Sequence, residues 1–516
     1  MWNQIYDPMS NIWLSALFAA IPILFFILAL TVLKMKVYIA GILSTIAAAL
    51  VAVFVYGMPV SKTAMSGVYG VLAGLWPVAT IVLAAIFLYK LTVKSGKFEV
   101  IKNSITSLTD DKRIQVLLVA YCFGAFLEGA AGFGAPVAIT AIILIGLGFK
   151  PIQAAGLCLI ANIAGGSYGA MGIPVTVPSA LTDIPAIDVA IRTSYIIPII
   201  SLVVAFLLVF IMDGFKGIKE TWLPTTICGG TFALVQYFTL NVLGAVLVDI
   251  LAASLSLIAL TVFLVLTEKS RYKYSLKEVT FAWLPFIILT VLVILFSLDS
   301  VKSLFASWTI DIPIIGINGE IIRDSPVVAT ATPYNAVLSL QFASTSIAIL
   351  LAGLFTILIL KVPRKASKEA IHETFAELTI PIITICSVLA FAYICNYSGM
   401  SSTLGLAFAS TGSLFPLFSP ILGWIGVFLT GSVVNSGSLF APLQSITATQ
   451  IGIEPAAMVA SNIIGGDMAK MISPQSVAVA AAAVGLTGKE NELFKYTIKF
   501  SLVFLVIVGI INLILY

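Results

Sequence analysis

The chain has 516 residues, 60% of them hydrophobic and only 10% charged, whereas a water-soluble domain is closer to half apolar and a quarter charged. Its formal net charge of +4 is carried on short loops and does not point to a nucleic-acid partner. Five scattered cysteines without CxxC or metal spacing, and a single histidine (His372) in a charged loop, exclude a histidine metal site and predict free thiols.

The first apolar run, Ile12 to Leu33, is long enough to cross a hydrocarbon core of ~30 Å as a helix. It is too long for a cleaved leader and no basic residue precedes it, so it reads as the first span. Runs of similar character follow at Tyr38 to Tyr56, Ile196 to Met212, Phe281 to Leu298 and Phe500 to Tyr516. A β-barrel would show weak alternating segments of about ten residues instead. The expected class is an all-α polytopic membrane protein.

Basic residues concentrate in cytoplasmic loops and so orient the spans. They cluster at Lys34 and Lys36, from Lys90 to Arg113, at Lys216 and Lys219, at Lys269, Arg271, Lys273 and Lys277, from Lys361 to Lys368, and from Lys489 to Lys499. The N-terminus, with no Lys or Arg before the first span, is expected outside. So are the C-terminus and the acidic segment from Asp299 to Pro333, whose Ile-Asn-Gly-Glu stretch at 317–320 suggests a small hairpin turn.

One motif occurs twice, about 300 residues apart. Asn162-Ile163-Ala164-Gly165-Gly166 is followed by Met171 and Pro174, and Asn462-Ile463-Ile464-Gly465-Gly466 by Met471 and Pro474. The likeness extends outward in order. Phe126 to Gly129 matches Phe428 to Gly431, Ala135-Pro136 matches Ala441-Pro442, and Gly148 to Pro151 matches Gly452 to Pro455. Loop charges start the first copy's leading helix inside and the second copy's outside. An inverted-topology repeat of this kind is typical of secondary transporters.

Paired glycines let a helix stop, and an asparagine can cap the next one. Broken helix ends in a protein-lined cavity attract ions. The plainer alternative is that the glycines only allow close helix packing. Between the matched segments, Leu127 to Pro136 holds a glycine pattern that lacks the preceding strand of a nucleotide fingerprint and fits an unwound or re-entrant segment better. Within it Glu128 is an intramembrane carboxyl suited to carry a proton, or else a structural hydrogen-bonding group. The second half answers with Gly431 to Ser438, where hydroxyls such as Ser432 and Ser436 could bind a carboxylate or hydroxyl. Asp467 and Lys470 are close enough on a helix to pair with each other; otherwise Lys470 could counter an anionic substrate and Asp467 exchange a proton. Arg192 and Asp249 are weaker candidates, the former able to snorkel and the latter outside the repeat.

The stretches Phe126 to Phe149, Gly156 to Pro174 and Lys470 to Glu490 resemble the L-lactate permease family, and the resemblance runs nearly the full length. It implies a plasma-membrane carrier of bacteria or archaea that takes up lactate, and often glycolate, with protons and without a cofactor. It also implies inverted repeats with re-entrant hairpins, an elevator-like motion and assembly as a homodimer. One departure concerns Val433, where the family commonly has an acid; Asp467 is expected to replace it in the same cavity.

Four regions are expected: scaffold spans at 1–113, a first repeat core at 114–212, intervening spans at 213–377, and a second core with the final span at 378–516. The breaks should meet near the bilayer midplane, with Asn162, Gly165 and Gly166 facing Asn462, Gly465 and Gly466. Lys470 would help hold a carboxylate, Ser432 and Ser436 would read a 2-hydroxyl, and Glu128, then Asp467, would carry the proton. Sodium coupling, selectivity for another small organic anion, a channel and an intramembrane enzyme are the alternatives; the enzyme lacks an evident acid pair or metal cluster.

Overall fold

A computed structural model describes all residues except Phe133 and 268–274. Phe133 of the glycine-rich run and the basic residues Lys269, Arg271 and Lys273 therefore lie outside the described residues. Among the described residues, ten helices are long and apolar enough to cross a membrane. An eleventh crossing is possible for the pair Pro151–Gly166 and Gly169–Thr182, bent by 50° at the break between them.

The longest helical run, Ile197–Val242, has 46 residues, which as one rod would be about twice the membrane thickness. Its backbone leaves helical geometry at Asp213, Gly214 and Thr221. It doubles back there, so that Ser201 donates to Gln236 Oε1 at 2.8 Å. The basic turn expected at Lys216 and Lys219 is this reversal.

The N-terminal spans form a wall with the helix Arg364–Ser398, which packs against Val37–Phe54 and Val60–Ala73. That helix runs through the expected boundary at 377/378 and sides mainly with the N-terminal spans. Gly70 makes the approach close: a Cβ there would stand 2.6 Å from Ala390 Cα. In lipid, where apolar burial gives helices little reason to associate, such small-residue contacts supply the packing. Lys90 pairs with Glu377 at 2.7 Å and Lys94 with Glu373 at 2.6 Å along one edge of the wall.

The segment from Asp299 to Ser344 carries most of the β-structure. Ile310–Pro313 pairs antiparallel with Val337–Leu340, and Ile321–Arg323 lies between Trp2–Asn3 and Thr332–Pro333. The 317–320 stretch does turn, with Gly316 and Gly319 at φ of 84° and 71°. It is not the expected hairpin, because the strands on either side of it join different sheets. The N-terminal strand and Thr332–Pro333 occupy both edges of Ile321–Arg323. The pairing with Trp2–Asn3 also puts the N-terminus on the same face as this segment.

Each half of the repeat is built in the same order: a helical hairpin, then a helix that breaks. The first hairpin joins Lys112–Ala130 to Ala135–Gly146 through residues 131–134, with Gly132 and Gly134 at φ of 64° and 85°. At its base Lys112 Nζ donates to the Leu147 carbonyl, and Arg113 reaches Asp213 at 3.0 Å and Glu220 at 2.6 Å. The second hairpin joins Phe415–Thr430 to Val433–Gln450 through Gly431, at φ 70°, and Ser432. Its arms are tied by Ser419 donating to Gln444 Oε1 at 2.9 Å, and at its base Gln450 Nε2 donates to the Pro326 carbonyl at 2.7 Å.

Candidate functional site between the two halves

The tips of both hairpins, the first helix break and the residues that flank the second border one cavity of about 400 Å³. Glu128, Gly166, Ser432, Lys470 and Gln475 line it from the repeats. Lys36, Tyr38 and Thr384 line it from the wall of N-terminal spans and Arg364–Ser398.

Glu128 sits in the last turn of the first hairpin's leading arm, just before the break, and is 2% exposed. Its carboxyl takes one donor from each half of the chain. Asn162 Nδ2 donates to Oε2 at 3.0 Å, and Lys470 Nζ donates to Oε1 and forms an ion pair with it. Gly169 leaves the room, since a Cβ there would collide with Oε1. Lys470 is the last residue of the helix Pro455–Lys470, where a cation also meets the negative end of the helix dipole. A charged pair this deep persists because each partner removes the other's cost of leaving water.

The first break is strained as well as open. Ala170 and Met171 adopt left-handed φ of 47° and 63°, followed by Gly172 at 74°. A β-carbon makes that conformation costly, by about 1–2 kcal/mol per residue. Non-glycine residues are held there only where their surroundings enforce it, which happens most often at functional sites. The second break, at 471–473, is a simpler interruption in which Ser473 caps the helix Pro474–Ala483 through Ser476.

The two copies of the asparagine-glycine motif do different work. In the second copy the helix runs straight through Asn462, Gly465 and Gly466. A Cβ on Gly465 would strike the Pro420 carbonyl, and one on Gly466 would stand 2.7 Å from Val427. These glycines therefore serve close packing on the second hairpin, and they do not line the cavity. In the first copy the glycines make room for acids. A Cβ on Gly165 would be 3.0 Å from Asp249 Oδ2, and one on Gly166 would meet Asp467 Oδ1. Neither asparagine caps a helix: Asn162 turns to Glu128, and the Asn462 amide has no partner among the described residues.

The pairing of Asp467 with Lys470, the plainer of the two readings, does not form. Asp467 is fully buried and accepts from Ser167 Oγ at 2.7 Å, while Lys470 goes to Glu128. Val433 lines the cavity and Asp467 does not; Asp467 lies against Gly166 and so does not take Val433's place on the cavity surface. Ser432 lines the cavity, whereas Ser436 is buried and donates to the Gly423 carbonyl at 3.0 Å. Arg192 does not line the cavity and pairs with Glu454. Thr430, Asn435, Gln475 and Ser476 add polar groups to the cavity wall; the polar run around the second break was the signal for the last two. Among the described residues no group of acids, cysteines and histidine is arranged to hold a metal, and all five cysteines are free.

A family profile described as L-lactate permease matches residues 15–516. The chain is 48% identical to an L-lactate permease of Salmonella typhi over 537 residues, covering 99% of this chain and 98% of that one. It is 46% identical to the glycolate permease GlcA of Escherichia coli K12, covering 99% and 97%, and 43% identical to an L-lactate permease of Bacillus subtilis, covering 99% and 98%. Among solved structures, the YdaH transporter of Alcanivorax borkumensis aligns over 86% of each chain at 16% identity, with a TM-score of 0.45. That likeness is too slight to transfer a fold or a mechanism. A profile match over almost the whole chain, and relatives of this closeness along their full length, have one meaning: the chain is a multi-span membrane transporter and belongs to the L-lactate permease family.

Proposed function

We propose that the protein takes up L-lactate, and related small 2-hydroxy monocarboxylates such as glycolate, by symport with a proton. The observation that carries this reading is the Glu128–Lys470 ion pair, which joins the two halves at the wall of the cavity. A substrate carboxylate that reaches Lys470 competes with Glu128 for it. Once displaced, Glu128 is a carboxylate in a nearly dry site, and a proton removes that cost. Anion and proton then favour the same state of the carrier, which is the thermodynamic requirement for symport. Ser432, Gln475 and Ser476 line the same cavity, which supports a role for them in meeting the substrate's 2-hydroxyl and its second carboxylate oxygen.

Alternating access would come from an inverted pair of repeats moving against the N-terminal wall. The base of the first hairpin is tied to the Asp213–Glu220 turn and the base of the second to the external segment. The span Ile197 to Met212 separates those two faces, which supports opposite entry of the hairpins. Lys36 at the cavity mouth supports an inward-facing state. The parallel pairing of Trp2–Asn3 with the 321–322 strand, and the packing of Tyr516 beside Phe415, support both termini outside. The family resemblance extends the reading to a homodimer in the plasma membrane.

Purified protein in proteoliposomes, loaded with imposed proton or sodium gradients, tests the reading. Labelled lactate should accumulate with an inward proton gradient and should not respond to sodium alone. Accumulation driven only by sodium would replace proton coupling with sodium coupling, and the absence of lactate movement under any gradient would reject the substrate.

A further inference from the structure

Asp249 lies in the first turn of the helix Val248–Thr267, outside both repeats, and is 1% exposed. An acid in the first turn of a helix ordinarily accepts from a free backbone N–H. Here neither carboxyl oxygen has a hydrogen-bond partner. The side chain is pressed between two glycines of the first repeat. A Cβ on Gly129 would stand 2.6 Å from Asp249 Cβ, and one on Gly165 would stand 3.0 Å from Asp249 Oδ2. Gly129 follows Glu128 in the chain, and Gly165 precedes Gly166, which covers Asp467. The ionisable groups around Asp249 are Glu128, Asp467 and Tyr168, with Lys470 as the single cation.

Lys470 is already committed to Glu128, and Asp467 has a hydroxyl donor in Ser167. Asp249 therefore has neither a counter-ion nor a donor. An ionised carboxylate so placed would bear nearly the full cost of leaving water, whereas the acid bears little of it. A purely structural role explains this poorly, because leucine or asparagine of similar size would fill the gap between the two glycines without that cost.

We propose that Asp249 is a second proton-holding group of this carrier, neutral in the conformation described and ionised only when the first repeat shifts from the Val248–Thr267 helix and admits water. The group takes its proton from water on one side of the membrane and returns it to water on the other, with no other bond made or broken. The idea rests on the proton-coupled reading above, and adds to Glu128 a site that the substrate does not touch. Protonation of Asp249 would let Gly129 and Gly165 close on it, so the proton would govern the position of the first hairpin and first broken helix even before substrate arrives.

The test compares wild type with Asp249→Asn and Asp249→Glu in proteoliposomes, reading lactate exchange at equal concentrations and proton-driven accumulation separately. In Asp249→Asn, a permanent stand-in for the neutral acid, accumulation should fall by about tenfold or more while exchange falls by less than about threefold, and exchange should vary less with pH than in wild type, Glu128 being left in place. Asp249→Glu, which keeps a titrating acid, should restore part of the accumulation and the pH dependence. Accumulation by Asp249→Asn equal to wild type overturns the proposal. So does equal loss of exchange and accumulation in both variants while both remain monodisperse in detergent, since that marks a packing residue. If wild type is driven by sodium, and Asp249→Asn loses the sodium response, the site holds a cation in place of a proton and the proposal also fails. A wild type that moves lactate with no gradient dependence rejects proton coupling itself, and is recognised without any variant.

Discussion

Ser167 and Asp467 stand at the same offset after the glycines in the two repeats, and they touch: Ser167 Oγ donates to Asp467 Oδ2 at 2.7 Å. The contact brings the two copies of the motif together at the position that follows their glycines. The same comparison sets Lys470 against Ala170 and Glu128 against Thr430, so the ion pair has no symmetric twin. The matched segments share their glycines, and these charges are not shared.

The shared contact can be removed. Ser167→Ala removes the hydroxyl donor of Asp467, and should lower stability by about 1–3 kcal/mol, the cost of orphaning a buried acceptor. The measurement is the unfolding midpoint in detergent, followed by tryptophan fluorescence. Ser167→Ala with Asp467→Asn should recover part of the loss, because the amide carries no charge to desolvate.

Lys470 and Glu128 should behave as one unit. Lys470→Gln should weaken lactate binding by roughly 10–100-fold, the equivalent of a lost charge-assisted hydrogen bond of about 1.5–3 kcal/mol. Glu128→Gln should reduce accumulation against a gradient far more than it reduces exchange. The double variant should be no worse than Lys470→Gln alone, since residues sharing one interaction are not additive. Binding by isothermal calorimetry and uptake in proteoliposomes check the two parts, and simple additivity would show that the pair does not act as proposed.

The two motif copies predict different consequences for the same substitution. Gly465→Ala should destabilise the second half by about 1–3 kcal/mol through overpacking on the Pro420 carbonyl. Gly166→Ala should also impair transport beyond any loss of stability, because its Cβ would displace Asp467 and crowd Lys470. Gly230, in a helix with open space around its Cα, is the control: Gly230→Ala should be neutral or stabilise by up to ~1 kcal/mol. Thermal shift and initial uptake rates separate the three.

Outside the membrane spans, Glu320 predicts an acid-sensitive anchor. The Lys62 ammonium beside it holds its carboxyl below the ordinary glutamate value of 4.5. A lowered folded value means that the ion pair's contribution is fully present above that ordinary value and fades as pH falls through the lowered one. The protection of the 310–323 amides, taken relative to their intrinsic exchange rates, should therefore be steady near neutral pH, fall on acidification below about 4.5, and show no such fall in Glu320→Gln. The same profile in wild type and variant would show that the pair anchors nothing.

Much of this architecture was legible in hydropathy and loop charge. The spans follow from apolar length, and the order of hairpin and broken helix follows from the matched segments at 126–174 and 428–474. Chemistry was harder to read because it depends on partners remote in sequence. Asp467 and Lys470 are helical neighbours, and local spacing favours their pairing; only the fold brings Glu128 to Lys470. The second asparagine-glycine copy reads like the first, yet the helix passes through it, since Gly465 faces a backbone carbonyl where Gly165 faces an acid. Asp249 carried no motif at all. Its importance comes from two glycines on other elements, and no local pattern records that. The paired strands of the 299–344 segment were hidden for the same reason: one partner is the extreme N-terminus.

The ion pair also has a history within each molecule's synthesis. Glu128 and Lys470 are 342 residues apart, and at ribosomal speeds of ~5–20 residues per second Glu128 waits roughly 20–70 s in the bilayer for its partner to be made. A nascent first half must therefore enter the membrane before the lysine that pairs with this acid exists. Quality-control proteases would meet an unfinished carrier with a polar flaw at its centre, and translation of the last fifth of the chain would seal it.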